Sequence, residues 1–126
     1  MINGDIIERT LERGKTMKIP LFSKSKEPYE RRYIIYGKVQ RVGYRKWLKK
    51  QAEKEKINGW VRNRSDGTVE AVLSAMDKKA VIALEKKLQE GPPKALVENI
   101  EKKKPKKEVK EGFEIKKTKK ISPKNG

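Results

Sequence analysis

The hydrophobic pattern of the chain switches between the two-residue period of strands and the 3.6-residue period of helices. The run "RYIIYGKV" (residues 32–39) favours a strand, and "GWVRNRSDGTVEAVLSA" (59–75) holds two β-prone runs around Asp66-Gly67. Because Asp-Gly favours the tight turns that join antiparallel strands, this segment predicts a hairpin. "GPPKALVENI" (91–100) and "GFEIKK" (112–117) predict two further strands, of which the second is short.

Two segments between these strands carry their apolar residues on one helical face. Residues 44–56 bring together Trp47, Leu48 and Ala52. Residues 77–90 predict a second amphipathic helix, with Asp77 as its N-cap and an apolar face made of Ala80, Val81, Leu84 and Leu88. The resulting order is strand, helix, strand, strand, helix, strand and short strand. It predicts an α+β fold in which two helices cover one face of a mostly antiparallel sheet.

The two ends of the chain lack this regular pattern. Residues 3–14 predict a short helix, and the residues after it predict a linker or arm, because their prolines, serines and charges follow no period. The last residues predict a loose, basic tail. We therefore expect an N-terminal extension (1–31), one folded domain (32–117) and a C-terminal tail (118–126).

Composition restricts the chemistry more than it identifies it. The 126 residues include 34 Lys and Arg against 17 Asp and Glu, a net charge of +17 that favours anionic partners. The chain has no cysteine and no histidine, which excludes cysteine phosphatases, phosphohistidine enzymes, Ser-His-Asp hydrolases and Cys/His zinc sites. Nothing near the N-terminus resembles a signal peptide or a membrane span, so a cytoplasmic protein with no membrane contact is expected.

Two motifs in the predicted domain resemble the signature segments of the acylphosphatase family. They are "GKVQRVGYR" (37–45) and "GWVRNRSDGTVEA" (59–71), and the resemblance extends over residues 32–117. It implies a ferredoxin-like α/β sandwich with an antiparallel sheet of four to five strands and two helices on one face. It also implies hydrolysis of the carboxyl-phosphate bond of small acyl phosphates, with no metal and no organic cofactor.

The resemblance also implies which residues carry the chemistry. Arg45 would bind the phosphoryl group, which suits the fixed geometry and permanent charge of a guanidinium. Asn63 would hold the attacking water in line with phosphorus, because an amide can position a water but cannot act as a base. The phosphate-binding loop implied by the first motif consists of Gln40, Arg41, Val42, Gly43, Tyr44 and Arg45.

Arg41 departs from the family, which has glycine at this position. If the backbone there needs a positive φ, a side chain costs on the order of 1 kcal/mol. Arg41 either points outward and strengthens the capture of anions, or folds over the loop and blocks it. The expected ligands are a small acyl phosphate, inorganic phosphate or sulfate, bound by a monomer.

A second hypothesis is a catalytically impaired module that binds anions or nucleic acid on the same fold. The lysine-rich stretch 101–111, together with Arg31, Arg32, Arg62 and Arg64, supplies cations for phosphate contacts. Aromatic residues make up only 6% of the chain, and they do not form the interleaved run typical of RNA-binding sheets. Charge alone predicts weak, salt-sensitive binding of nucleic acid.

Overall fold

The elements predicted for the middle of the chain are all present, in the predicted order. The computed structural model describes residues 6–10, 16–20 and 27–122. Its elements are β1 (Ile6–Thr10), β2 (Thr16–Pro20), β3 (Tyr29–Lys38), α1 (Tyr44–Lys54), β4 (Asn58–Asn63), β5 (Val69–Ala75), α2 (Lys78–Leu88), β6 (Leu96–Lys103) and β7 (Phe113–Ile115).

Strands β3 to β7 form one sheet, in the spatial order β6-β3-β5-β4-β7. The neighbouring strands are antiparallel except for β4 and β7, which run parallel. Helix α1 packs against β4 and β7, and α2 packs against β5 and β3. The predicted ferredoxin-like α+β fold, with two helices over one sheet, is confirmed. Neither of these helices is long and apolar enough to cross a membrane.

The hydrophobic core lies between the helices and the sheet, and β5 runs through its centre with every residue buried. Helix α2 buries Val81, Leu84 and Leu88 of the predicted face. The prediction for α1 was wrong in one position, because the helix buries Tyr44 rather than Trp47. Trp47 is half-buried and meets the Tyr44 ring edge-on, with 5.3 Å between the ring centroids.

A β-bulge near the end of β3 directs the chain toward α1. The register between β3 and β6 shifts between Tyr36 and Gly37, and Gly37 has a φ of 121°. A Cβ atom at this position would collide with the carbonyl oxygen of Leu96. Only glycine allows the two backbones to approach this closely.

The predicted helix over residues 3–14 is wrong where the structure describes it. Residues 6–10 form strand β1, which pairs antiparallel with β2 so that Ile7 lies opposite Ile19. The helical spacing of apolar residues was misleading, because isoleucine and threonine are β-branched and favour strands. A helix this short is also marginal without tertiary support. The neighbouring residues lie outside the described part of the chain.

The prediction of a loose tail from residue 118 was wrong for Lys119 and Ile121, whose backbones are hydrogen-bonded to the β4–β5 hairpin. The Lys119 N–H donates to the Asn63 carbonyl, and the Lys119 carbonyl accepts from the Ser65 N–H, each over 2.9 Å. The Ile121 N–H donates to Ser65 Oγ over 2.8 Å. Nothing in "TKKIS" signals these bonds, since they satisfy backbone groups whatever the side chains are.

Candidate active site

The loop between β3 and α1, residues 39–43, brings the backbone into a helix N-terminus that carries no side-chain cap. Two of its residues have left-handed backbones, Arg41 with a φ of 63° and Gly43 with a φ of 81°. Gly43 is the N-cap of α1 and has no side chain to accept from the first-turn amides, and that turn contains no acidic residue. The positive end of the helix dipole is therefore left uncompensated by α1 itself.

Three residues of the predicted phosphate-binding loop hold the loop in place through their side chains. Gln40 Nε2 donates to the carbonyls of Arg64 and Thr68, each over 2.8 Å, and so ties the loop to the β4–β5 hairpin. Val42 packs against the core. Tyr44 is 1% exposed, and its hydroxyl donates to the Leu88 carbonyl over 2.6 Å.

Burial raises the pKa of the Tyr44 hydroxyl well above its usual value, so this group stays protonated. The side chains of Gln40, Val42 and Tyr44 thus serve as supports. Of the three, only Tyr44 lines the cavity described next.

A cavity of about 280 Å3 lies at the N-terminus of α1. It brings together Arg45 from the helix and Asn63 from the end of β4, as the family resemblance implied. The remaining lining residues are Val39, Arg41, Gly43, Tyr44, Lys46 and Ile115. The side chain of Arg41 is exposed to solvent and also lines this cavity.

Asn63 is oriented by the alternation of β4 and by backbone bonds on both sides. It shares the helix-facing side of the strand with Gly59 and Val61, both of which are buried. Its carbonyl accepts from Lys119, and the next residue, Arg64, donates its N–H to the Thr68 carbonyl over 2.9 Å. Its side-chain Oδ1 atom is buried and accepts no hydrogen bond from any described residue. A buried acceptor of this kind is costly unless a water or ligand completes it.

The only acidic residue in the hairpin turn, Asp66, is committed to the turn itself. Its Oδ1 atom accepts from the Thr68 N–H over 3.0 Å and from the Thr68 hydroxyl over 2.6 Å. Burial alone would raise the pKa of the Asp66 carboxyl, but the bonds from Thr68 and the charge of Arg64 outweigh it and hold the pKa below its usual value. Asp66 is therefore ionised at neutral pH and shapes the hairpin that follows Asn63.

Sequence reasoning missed three residues that line this cavity, Val39, Lys46 and Ile115. Lys46 follows directly after Arg45, where the predicted loop ends, and a second cation next to the first was the signal that could have included it. Ile115 had no such signal. It reaches the cavity because β7 lies parallel to β4 with Ile115 opposite Val61, a pairing between segments more than fifty residues apart.

Comparison with known proteins decides the family. The family model for acylphosphatase matches residues 31–115, most of the described domain. The chain belongs to the acylphosphatase family. It is 46% identical over 81 residues to an acylphosphatase of Thermococcus kodakarensis, an alignment that covers 64% of this chain and 88% of that protein. It is 47% identical over 70 residues to an acylphosphatase of Rhodopseudomonas palustris, covering 56% of this chain and 70% of that one.

Solved structures of acylphosphatases have the same fold. The structure of an acylphosphatase from Coxiella burnetii matches with a TM-score of 0.68 and 32% identity, covering 76% of this chain and all of that chain. The acylphosphatase from Bacillus subtilis matches with a TM-score of 0.63 and 31% identity, over 68% of this chain and 96% of that one. The family predicted from two motifs is confirmed, and these relatives support the predicted enzyme class.

Proposed function

We propose that this acylphosphatase-family protein hydrolyses small acyl phosphates to a carboxylate and inorganic phosphate without a metal ion. The observation that carries the proposal is the placement of Arg45 and Asn63 in one cavity at the uncapped N-terminus of α1. These residues supply the two functions that phosphoryl transfer to water needs, which are neutralisation of the phosphoryl charge and positioning of the nucleophile.

The phosphoryl group would bind at the start of α1. Amide groups of the loop and of the first helical turn are the natural donors for its oxygens, since a helix N-terminus favours anions. The Arg45 guanidinium supplies two parallel donors and a full positive charge. Arg41 and Lys46 line the same cavity and add to its positive potential.

Asn63 would hold the nucleophilic water through its side-chain amide, at the edge of the cavity that it shares with Arg45. A hydrogen bond from this amide group would direct the water oxygen toward phosphorus. The water oxygen forms a new bond to phosphorus as the bond from phosphorus to the carboxyl oxygen breaks. The bonding pair leaves with the carboxylate, and the water protons pass to the phosphate product and solvent. A carboxylate is a stable leaving group, so the step needs no residue that donates a proton to it.

Hydrolysis of acetyl phosphate by purified protein tests this proposal. Arg45→Gln and Asn63→Ala should each lower kcat/KM by roughly 100-fold or more, because each removes a group that acts in the transition state. Lys50→Gln, which removes an exposed cation from the same helix, should leave the rate within about twofold. Equal rates for the Arg45 variant and this control would contradict the assignment.

Arg41→Gly separates the two roles open to that residue. If the arginine strengthens the capture of anions, the variant should have a higher KM and a similar kcat. If it obstructs the loop, the variant should be faster. Phosphate binding to the unaltered protein without any hydrolysis would instead support the second hypothesis, an anion-binding module on the same fold.

A further inference from the structure

A second and larger cavity lies away from the candidate active site, on the face of the sheet that the helices do not cover. We call this face the outer face. The alternation of β4 places Trp60 and Arg62 on it, because Gly59 and Val61 belong to the helix-facing side. A groove of about 780 Å3 runs between this face and the segment 105–112, and we call it the outer-face groove.

The floor of the outer-face groove is held by one buried carboxylate between two arginines. Glu70 is 4% exposed and accepts from Arg32 Nε over 2.7 Å and from Arg62 Nε over 2.8 Å. Both arginines engage Glu70 through Nε, so each guanidinium stays fixed in orientation on the surface of the sheet. The groove therefore has a preorganised cationic floor.

An aromatic ring lies in this cationic surface. The guanidinium carbon of Arg62 is 4.5 Å from the centre of the Trp60 ring, and Lys116 Nζ is 4.6 Å from it. Trp60 is half-buried, and it lies opposite the buried Val72 on the neighbouring strand. Both cations lie over the ring rather than at its edge. A planar group that carries negative charge nearby would therefore stack on Trp60 by displacing the flexible Lys116 side chain, since Arg62 is held by Glu70.

The walls of the groove are rich in lysine. Its lining contains eight Lys and Arg residues against four Glu, and one of those glutamates, Glu70, is fully used by the floor. Five of the cations are lysines from two separate segments, and none of them forms an ion pair with another described residue: Lys106, Lys107, Lys110, Lys116 and Lys119. Cations spread along a groove match a ligand with repeated anionic groups better than one with a single charge.

We propose that the outer-face groove binds single-stranded nucleic acid, in a site separate from the cavity of Arg45 and Asn63. A positively charged groove that follows the phosphates, with an aromatic side chain on which a base stacks, is the general basis of binding single strands. Trp60 supplies the stacking surface and the five lysines supply the phosphate contacts. An acidic peptide would use the lysines but has no planar base for Trp60, and a duplex keeps its bases stacked internally.

The lysines are tested by reversing their charge in two matched triple variants. The groove variant is Lys106→Glu, Lys107→Glu and Lys110→Glu, and the control carries Lys50→Glu, Lys79→Glu and Lys94→Glu. All six side chains are exposed and the net charge falls equally in both. Affinity for fluorescent RNA and DNA single strands of about 10 nucleotides is measured by anisotropy across a salt series.

The groove variant should bind at least about tenfold more weakly than the control, and its salt slope should fall by about two, at roughly 0.7 per lost phosphate contact. Both triples should hydrolyse acetyl phosphate at the rate of the unaltered protein. Equal weakening by the two triples would overturn the proposal, because it would show attraction by net charge alone. Tight binding of either single strand would support the proposal. A difference in affinity between RNA and DNA would show that the groove distinguishes ribose from deoxyribose.

Stacking on Trp60 has its own readout. In a Trp47→Phe background Trp60 is the only tryptophan, since the chain contains two, and its emission should be quenched as oligonucleotide binds. Trp60→Leu should weaken binding by about tenfold while the protein keeps its circular dichroism spectrum.

Unchanged emission at saturation, equal affinity for a duplex, or equal affinity for a glutamate-rich peptide would each overturn the assignment. A free mononucleotide should bind far more weakly than the oligonucleotide. Equal affinity for the two would show that the site holds a single nucleotide, and it would refute the proposal that the groove binds a single strand.

Discussion

Replacing Glu70 by glutamine tests the ionic cluster that fixes the outer face of the sheet. The substitution keeps the shape of the side chain but removes the charge that Arg32 and Arg62 share. The side chains involved are 6% exposed for Glu70, 14% for Arg32 and 22% for Arg62. Two guanidinium groups would then remain on a poorly hydrated surface without a counter-charge.

The expected cost follows from this burial. Removing one partner of a buried ion pair costs about 3–5 kcal/mol, and because glutamine keeps one hydrogen-bond acceptor we expect about 3 kcal/mol. For a domain of this size each kcal/mol lowers Tm by about 4–8 °C, so Tm should fall by roughly 12–24 °C. Glu53→Gln is the matched control, since Glu53 is 55% exposed and pairs with Lys49 at 3.5 Å on the surface of α1. It should cost no more than about 0.5 kcal/mol.

The effect should depend on pH in a defined direction. Burial alone would raise the pKa of the Glu70 carboxyl, but its bonds to Arg32 and Arg62 outweigh burial and hold the folded-state pKa below the usual 4.5. The folded state therefore binds fewer protons than the unfolded state. The stability that the Glu70 charge contributes is therefore fully present above pH 4.5, the usual pKa of the group. This stability is lost as the pH falls through the folded-state pKa of Glu70.

Urea unfolding followed by circular dichroism measures both features. The free-energy difference between the unaltered protein and Glu70→Gln should be largest near about pH 7 and should shrink at about pH 3, whereas the Glu53 control should change little. A cost at neutral pH no greater than that of the control would refute the reasoning. So would a difference that stays constant down to the lowest pH at which the protein is folded.

Three further predictions concern the loop and its supports. Gln40→Ala removes both bonds between the loop and the hairpin, and we expect about a tenfold loss of kcat/KM for acetyl phosphate, with an unchanged rate contradicting this. Tyr44→Phe leaves the Leu88 carbonyl without its donor and should cost about 1 kcal/mol in urea unfolding, with no effect above error if that bond is unimportant. Gly37→Ala should cost more stability than Gly43→Ala, about 3 against about 1 kcal/mol, because an added Cβ would collide with backbone at Gly37 and would meet nothing within 4 Å at Gly43. Equal costs would show that positive φ alone is responsible.

The parts of the fold with strong periodic patterns could be predicted from the sequence. Strand β3, the Asp66-Gly67 hairpin and both amphipathic helices follow from local spacing and turn chemistry, and their order restricts the topology to a sheet covered on one face. Prediction from local spacing failed for the N-terminal segment, because the apolar residues of 6–10 fit a helix and a strand about equally well. Their pairing with residues 16–20 decided between the two, and short local patterns do not encode such a pairing.

Some residues of the candidate site could also be predicted from the sequence, and others could not. Arg45 and Asn63 were accessible from motif resemblance, since each lies at a recognisable junction of a strand with a loop or helix. The supporting role of Gln40 was not, because it depends on the carbonyls of the hairpin lying within hydrogen-bond distance. Two further features could not be predicted locally, because both depend on the pairing of distant segments. Ile115 lines the cavity, and the Lys119 N–H donates to the Asn63 carbonyl.

The sequence by itself determined the element types in the middle of the chain, the excess of positive charge and the absence of any cysteine or histidine chemistry. These properties are local or additive, so they survive without knowledge of contacts. Only the tertiary structure decided that Arg41 has a left-handed backbone with an exposed side chain, that Asn63 Oδ1 is buried without a partner among the described residues, and that Arg62 and Lys116 lie over the Trp60 ring. Those properties depend on which strands lie side by side. That arrangement is fixed by packing between distant segments, and not by the residues that are neighbours in sequence.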